Sequence, residues 1–381
     1  MKTIAQWASL LPNGEGYLAL SYLLNTTPGE LRARSESSTQ SETSAQSETS
    51  AQSQIAQRQS AQSQTSAESR RSANSAPNTA RNTSAIPIQK DNNKQQHPIE
   101  TGLSPEILQR YQEIVQRRLA GEPLQYAIGE WEFYGHLFHV DPRALIPRSE
   151  TELLVEMALR EELGGKIIAD IGTGTGAIAL SIALEANPKP KKIYATDCSA
   201  DALALAQENA NRLIMYSSVQ PSQREGNGEQ ETSLTSCHTS DEKASYSSPY
   251  RRASDEASEF TENMIEWILG DGPSILPEAV DVLLSNPPYI DPLEKEGLQE
   301  ELRYEPSSAL FAGEPGRGGL ALYQAWIPLL KPLLRPHGVV LMEIGDRQGK
   351  DVANLFRQAG FCAVSVHPDY SGRDRFVRAE R

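Results

Sequence analysis

Asn286, Pro287, Pro288 and Tyr289 close the apolar run Val282-Leu283-Leu284. Two successive prolines fix φ and remove two backbone donors. The turn is therefore rigid, and its carbonyls stand as acceptors beside the Asn286 carboxamide. Such a set suits a planar amino group. Two acceptors take its two hydrogens while the nitrogen lone pair meets an electrophile. The same four residues also satisfy a strand that ends in a proline turn, with Asn286 bonded to its own backbone.

A second cluster precedes it. Asp170-Ile171-Gly172-Thr173-Gly174-Thr175-Gly176 follows the apolar run Ile167-Ile168-Ala169 and opens a helical pattern. Glycines let the backbone turn sharply and let a ligand come close. The helix that follows offers unpaired N–H groups. Asp197 lies 21 residues past Gly176, where a carboxylate can accept from both ribose hydroxyls. Gly172-x-Gly174-x-x-Ala177 also matches the dinucleotide fingerprint, so the loop alone leaves NAD and S-adenosylmethionine both open. Asp170, just before the first glycine, and an Asn-Pro-Pro-Tyr turn with no part in hydride transfer favour S-adenosylmethionine. Gly270-Asp271-Gly272 follows Trp267-Ile268-Leu269. Asp271 either approaches an adenine amino group or closes an Asx turn.

These residues need a sheet to gather them. From Lys166 onward, β-rich runs alternate with helical ones. Ile193-Tyr194-Ala195 precedes a helix over 200–213, and a helix over 319–334 precedes Val339-Val340-Leu341-Met342-Glu343. Strands at 361–366 and 375–377 close the pattern. Such alternation predicts a mostly parallel sheet covered on both faces. Ligands in such sheets collect at the carboxyl ends of the strands, so the glycine loop, Asp197, Asp271 and Asn286 are expected in one crevice.

Upstream, Ser104 reads as an N-cap with Pro105 at the first helical position. Ile107, Leu108, Tyr111, Ile114, Val115 and Leu119 then recur at helical spacing. Between Pro123 and Pro147, Trp131, Phe133, Phe138 and Val140 alternate, with Gly129 and Gly135 nearby. That pattern predicts a hairpin joining two domains. Two polar segments, 35–97 and 216–262, are rich in Ser, Gln, Glu and Thr. They read as disordered insertions, because they bury too little apolar surface to offset the entropy of ordering.

The 381 residues carry a formal charge of −14, against the basic face expected of a protein that holds duplex DNA by its phosphates. The three cysteines, Cys198, Cys237 and Cys362, are far apart, which excludes a disulfide framework and disfavours a zinc site. No apolar stretch reaches the roughly 18 residues of a membrane helix, and the first residues build no signal-peptide core. A cytoplasmic protein without metal is expected.

Together these motifs resemble class I S-adenosylmethionine-dependent methyltransferases. More narrowly, they resemble the protein-(glutamine-N5) methyltransferases of peptide chain release factors, the PrmC/HemK family. Gly121-Glu122-Pro123-Leu124-Gln125-Tyr126 with Gly129-Glu130-Trp131-Glu132-Phe133 is similar to that family's linker hairpin. Leu145 to Glu152 is similar to its Ile-Pro-Arg-Pro-Glu-Thr-Glu signature, with Ser149 in place of the proline. Met342-Glu343-Ile344-Gly345 and Gly372-Arg373-Asp374-Arg375 extend the match.

The resemblance implies a Rossmann-like α/β catalytic domain with a seven-stranded sheet over 148–381, interrupted by the 216–262 insertion. A hairpin linker over 123–147 and a helical substrate-docking domain over 1–122, interrupted at 35–97, complete the expected chain. It implies that Gly172, Thr173, Gly174, Thr175, Gly176, Asp197, Gly272 and Asn286 contact S-adenosylmethionine. Asn286, Pro287, Pro288 and Tyr289, walled by Phe133, would hold the glutamine amide, with Asn286, Pro287 and Tyr289 closest to the chemistry. The expected partner is a release factor, met by a monomer without stable nucleic-acid or membrane contacts. Two rivals use the same motifs: an adenine-N6 methyltransferase acting on a flipped base, and a cofactor-binding module without catalysis.

Overall fold

The structure is a computed structural model that describes residues 4–28, 30–31, 103–218 and 264–381. The expected insertion over 35–97 lies outside these residues. So does the second insertion, except that 216–218 continue a helix. The chain divides into two compact units, Met1–Leu119 and Ala120–Arg381.

In the first unit, helices α1 (Ile4–Ala8), α2 (Glu15–Leu24) and α3 (Pro105–Leu119) pack together. Ser104 caps α3, its hydroxyl accepting from the Ile107 N–H at 3.3 Å. The buried stripe Tyr111, Ile114 and Val115 follows the helical period. Tyr111 donates to the Trp7 carbonyl at 2.8 Å, and Arg118 pairs with both oxygens of Glu15.

The second unit opens with α4 (Leu124–Ile128), a helical turn inside the stretch expected as hairpin alone. Four of its five residues are buried, so local apolar packing favours a turn of helix there. Gly129, in the left-handed region at φ 90°, ends it. The hairpin itself pairs β1 (Glu130–Phe133) with β2 (His136–His139). Its two-residue turn, Tyr134-Gly135, has positive φ at both positions, which matches the twist of the strands.

The central sheet holds seven strands, β3 (Ile167–Ile171), β4 (Lys192–Asp197), β5 (Ile265–Leu269), β6 (Val280–Ser285), β7 (Leu334–Glu343), β8 (Cys362–Pro368) and β9 (Asp374–Glu380). Their order is β5-β4-β3-β6-β7-β9-β8. The first five strands run parallel, and β9 is antiparallel to both neighbours. All five residues of β3 are buried, as two covered faces require. Alternate residues feed two cores. Ile168, Ile193, Val282, Leu284 and Leu341 face one, and Ile167, Ala169, Leu283, Val340 and Met342 face the other.

Helices α5 (Glu152–Arg160), α6 (Ala177–Glu185) and α7 (Ala200–Ser218) serve the first core. Helices α8 (Ala321–Leu330) and α9 (Gly349–Gln358) serve the second. The expected helix over 319–334 is shorter than its pattern, and the chain tightens to a 3₁₀ turn at Lys331–Leu333. Pro328 and Pro332 withdraw backbone donors there. Strand β7 then begins at Leu334, five residues earlier than expected. From β3 the chain moves one way to β4 and β5, and the other way to β6 and β7. That reversal opens a crevice at the carboxyl ends of β3 and β6.

Candidate active site

The loop after β3 enters that crevice. Gly172, Gly174 and Gly176 all lie in the left-handed region, at φ 76°, 56° and 82°. The N–H groups of Gly172 and Thr173 both donate to the Thr196 carbonyl at 2.8 Å, which pins the loop to the end of β4. A side chain on Gly172 would stand in open space, with nothing within 4 Å. The loop therefore presents bare backbone to a ligand.

Asp170 holds the loop from beneath. One carboxylate oxygen accepts from the Thr173 hydroxyl at 2.7 Å and the Ala179 N–H at 3.2 Å. The other is buried with no hydrogen-bond partner. Burial, and then the nearby Asp197 charge, push the Asp170 carboxyl up to about 7. Asp197 ends β4. Its Oδ2 accepts from the Gly174 N–H and its Oδ1 from the Ser199 N–H, both at 2.9 Å. Burial raises its pKa while these N–H groups oppose the shift. Each oxygen keeps a further lone pair for a ligand hydroxyl.

Across the crevice, Ser285 at the end of β6 donates to the Ile171 carbonyl at 2.7 Å, tying β6 to β3. Asn286 follows. Its Nδ2 donates to Thr151 Oγ1 at 3.1 Å, and Thr151 Oγ1 donates to Glu343 Oε2 at 2.7 Å. Thr151 and Glu343 are both buried. Pro287 is buried, and Pro288 and Tyr289 are half-buried. The Tyr289 carbonyl accepts from Gln348 Nε2 at 3.0 Å, and that amide also reaches the Gly318 carbonyl at 2.9 Å. The turn is thereby fixed to the start of α9. Burial pushes the Tyr289 phenol up to about 12, with the Glu343 charge adding to it.

A cavity of about 330 Å³ occupies the crevice, within the range of small-molecule sites. Phe133, Gly172, Thr173, Gly174, Thr175, Asp197, Gly272, Asn286 and Pro288 line it, as does Asp271. Gly176, Pro287 and Tyr289 are not among the lining residues. Gly176 caps α6, and the Tyr289 ring packs against the second core.

Thr151 and Trp326 also line the cavity, and the sequence assigned neither a role at the site. Thr151 belongs there to the signature stretch Leu145 to Glu152, which assigns it no role of its own. Trp326 reads as a core residue of an apolar helix. Its indole instead reaches Gly272, at φ 68°, where an added Cβ would stand 2.9 Å from the indole nitrogen. Room for the indole at this wall thus depends on the missing side chain.

The residues fit S-adenosylmethionine. Bare loop backbone, a carboxylate with spare lone pairs at the end of β4, and a cavity of suitable size answer its ribose and its bulk. Among the described residues, no cluster of His, Cys, Asp and Glu could hold a metal ion, and no helix is long and apolar enough to cross a membrane.

A sheet of this order, with a glycine loop after β3, an acid at the end of β4 and Asn-Pro-Pro-Tyr after β6, defines a class I S-adenosylmethionine-dependent methyltransferase. Two family models match: the PrmC N-terminal domain over residues 97–129 and the methyltransferase small domain over 149–234. The chain is 37% identical over 278 residues to the release factor glutamine methyltransferase of Cereibacter sphaeroides, covering 73% of this chain and 81% of the relative. It is 35% identical over 287 residues to the protein of that name from Moorella thermoacetica, covering 74% of this chain and 83% of the relative. The chain belongs to the release factor glutamine methyltransferase family.

Proposed function

We propose that this enzyme methylates the side-chain N5 of the glutamine in the Gly-Gly-Gln motif of peptide chain release factors. The observation that carries this reading is the shared cavity. An amide-gripping turn, Asn286 and Pro288, lines the same space as Gly172–Thr175 and Asp197. Family membership supplies the substrate class.

An amide nitrogen is a poor nucleophile because its lone pair is delocalised into the carbonyl. S-adenosylmethionine supplies a sulfonium-activated methyl group, so no covalent enzyme intermediate is required. Asn286 Oδ1 and the Pro287 carbonyl accept the two amide hydrogens. They hold the nitrogen in line with the methyl and stabilise positive charge as it develops there. The carbon–sulfur bond breaks as the nitrogen–carbon bond forms, and a proton then leaves the strongly acidic N-protonated amide for water. Pro288 keeps the turn rigid, Phe133 walls the pocket, and Tyr289 anchors the turn to the second core. Gly172 to Thr175, Gly272 and Asp197 bind the donor, and Gly176 shapes the loop by capping α6.

In the same reading, the helical unit up to Leu119 docks the release factor. The enzyme acts as a cytoplasmic monomer without stable nucleic-acid contacts.

Methyl incorporation from labelled S-adenosylmethionine tests the substrate. Label in a release factor, and none in adenine-containing DNA, is expected. Label in the DNA alone would move the same clamp to a base amino group. Donor binding without transfer to either would leave a binding module.

A further inference from the structure

A carboxamide serves this clamp in only one of its two flips. With Oδ1 toward the cavity, Asn286 accepts from the substrate amide. With Nδ2 there, it would present hydrogens to hydrogens. The two flips have nearly the same shape, so a neighbour must choose between them.

Thr151 Oγ1 lies 3.1 Å from Asn286 Nδ2 and 2.7 Å from Glu343 Oε2. A hydroxyl has one hydrogen, and a carboxylate can only accept. Glu343 therefore takes the Thr151 hydrogen. Oγ1 is left with lone pairs toward Asn286, and only the –NH2 edge can meet them. We propose that Thr151 and Glu343 are positioning residues that lock Asn286 with Oδ1 turned to the substrate. This rests on the reading of Asn286 as the group that grips the amide.

The placement of Glu343 supports the relay. It is 1% exposed, at the end of a strand whose other inner residues are apolar. A buried carboxylate is costly, and packing alone would be served by Leu or Met. Burial raises its pKa to about 7 against the Thr151 hydrogen bond, Arg375 from β9 and Arg148 before α5, which favour the charged form, while Glu150 adds to the rise and the phenols of Tyr289 and Tyr323 feel its charge. The three relay members come from three separate places: the start of α5, the end of β6 and the end of β7. The lock forms only when the sheet is assembled.

The test compares Thr151→Val, Thr151→Ser, Asn286→Ala and the Thr151→Val/Asn286→Ala pair. Each is assayed for kcat and KM with release factor, for S-adenosylhomocysteine affinity by calorimetry, and for melting temperature. Thr151→Val should lose tenfold or more in kcat with unchanged S-adenosylhomocysteine affinity, and Thr151→Ser should recover most of it. In the Asn286→Ala background, Thr151→Val should cost nothing further, because its effect runs through Asn286. Where valine is not accommodated, Thr151→Ala serves the same comparison. If Asn286→Ala is inactive and Thr151→Val keeps full kcat, the relay is overturned and the clamp stands. A Thr151→Val loss of equal size in both backgrounds also overturns the relay. If Asn286→Ala turns over like wild type, the clamp itself fails and takes the relay with it.

Discussion

At the residue scale, Asn286 is proposed to accept the amide hydrogens and Glu343 to fix its orientation through Thr151. Replacing Asn286 with alanine removes one oriented acceptor. Losing one oriented donor costs about 10²–10³ in kcat in other enzymes, and by analogy a loss of that order is expected here with the melting temperature nearly unchanged. Glu343 adds a pH dependence. Burial pushes its carboxyl from an ordinary 4.5 up to about 7, with Arg375 and Arg148 pulling it back and Glu150 adding to the rise. Below that pH the acid becomes a donor to Thr151. The hydroxyl can then turn its hydrogen to Asn286 and release the flip. Methyl transfer should therefore fall as pH drops through about 7, and Glu343→Gln should flatten that limb. The stability contribution runs the other way. The folded state keeps a proton between about 4.5 and 7 that the unfolded chain releases, so folding should gain as pH falls through this window. Asp170 is also pushed up to about 7 and shares that stability trend, so the variant decides: a kcat limb lost in Glu343→Gln would identify Glu343, and one that persists there would assign the limb elsewhere. Asn286 was legible in the sequence because the prolines beside it are so specific. Its partners Thr151 and Glu343 stood in family motifs, but the contacts linking them to it were not legible. Thr151 is 135 residues away from Asn286, and Glu343 is 192 residues away from Thr151. No local pattern reports a contact of that range.

Elements explain why the loop and the turn meet at all. The strand–helix alternation was readable, since near-continuous apolar runs such as Ile167–Ile171 mark strands buried on both faces. Strand order was not readable, because β9 enters between β7 and β8, out of chain order. Helix α8 was overextended for a physical reason, since its pattern continues past prolines that the backbone cannot follow. Trp326 was hidden by the same apolar pattern. Two glycines make the elements testable. Gly172→Ala puts a side chain into open ligand space at φ 76°, where left-handed strain costs about 1–2 kcal/mol. S-adenosylhomocysteine affinity should fall about tenfold or more, with only that modest loss of stability. Gly272→Ala instead drives a methyl against the Trp326 indole at 2.9 Å. The Trp326 fluorescence, read as the difference from Trp326→Phe, should shift in Gly272→Ala before any ligand is added. An unchanged spectrum would mean that the wall does not depend on the glycine.

At the scale of the whole molecule, the cavity proposed for the donor lies within one of the two units. Every residue lining the cavity lies between Phe133 and Trp326, inside Ala120–Arg381. S-adenosylhomocysteine at about 100 times its Kd should stabilise that unit by about 2.7 kcal/mol. Hydrogen exchange should slow around β3, β4 and the start of α6 and remain unchanged in α1, α2 and α3. Protection of the helical unit by the small ligand alone would contradict this division. The motifs in the sequence predicted a catalytic part preceded by a helical one. The expected boundary after 122 lies three residues past the division at Leu119, and the helical turn of α4, within the motif stretch, came from packing that the motif does not record. The central claim is that a rigid turn presents a glutamine amide to an activated methyl, and mass spectrometry of a release factor tests it most directly. After incubation with the enzyme and S-adenosylmethionine, the Gly-Gly-Gln peptide should carry one added methyl on the glutamine side chain, and with Asn286→Ala it should carry almost none. An unmodified glutamine with wild-type enzyme, or equal methylation by both proteins, would contradict the account.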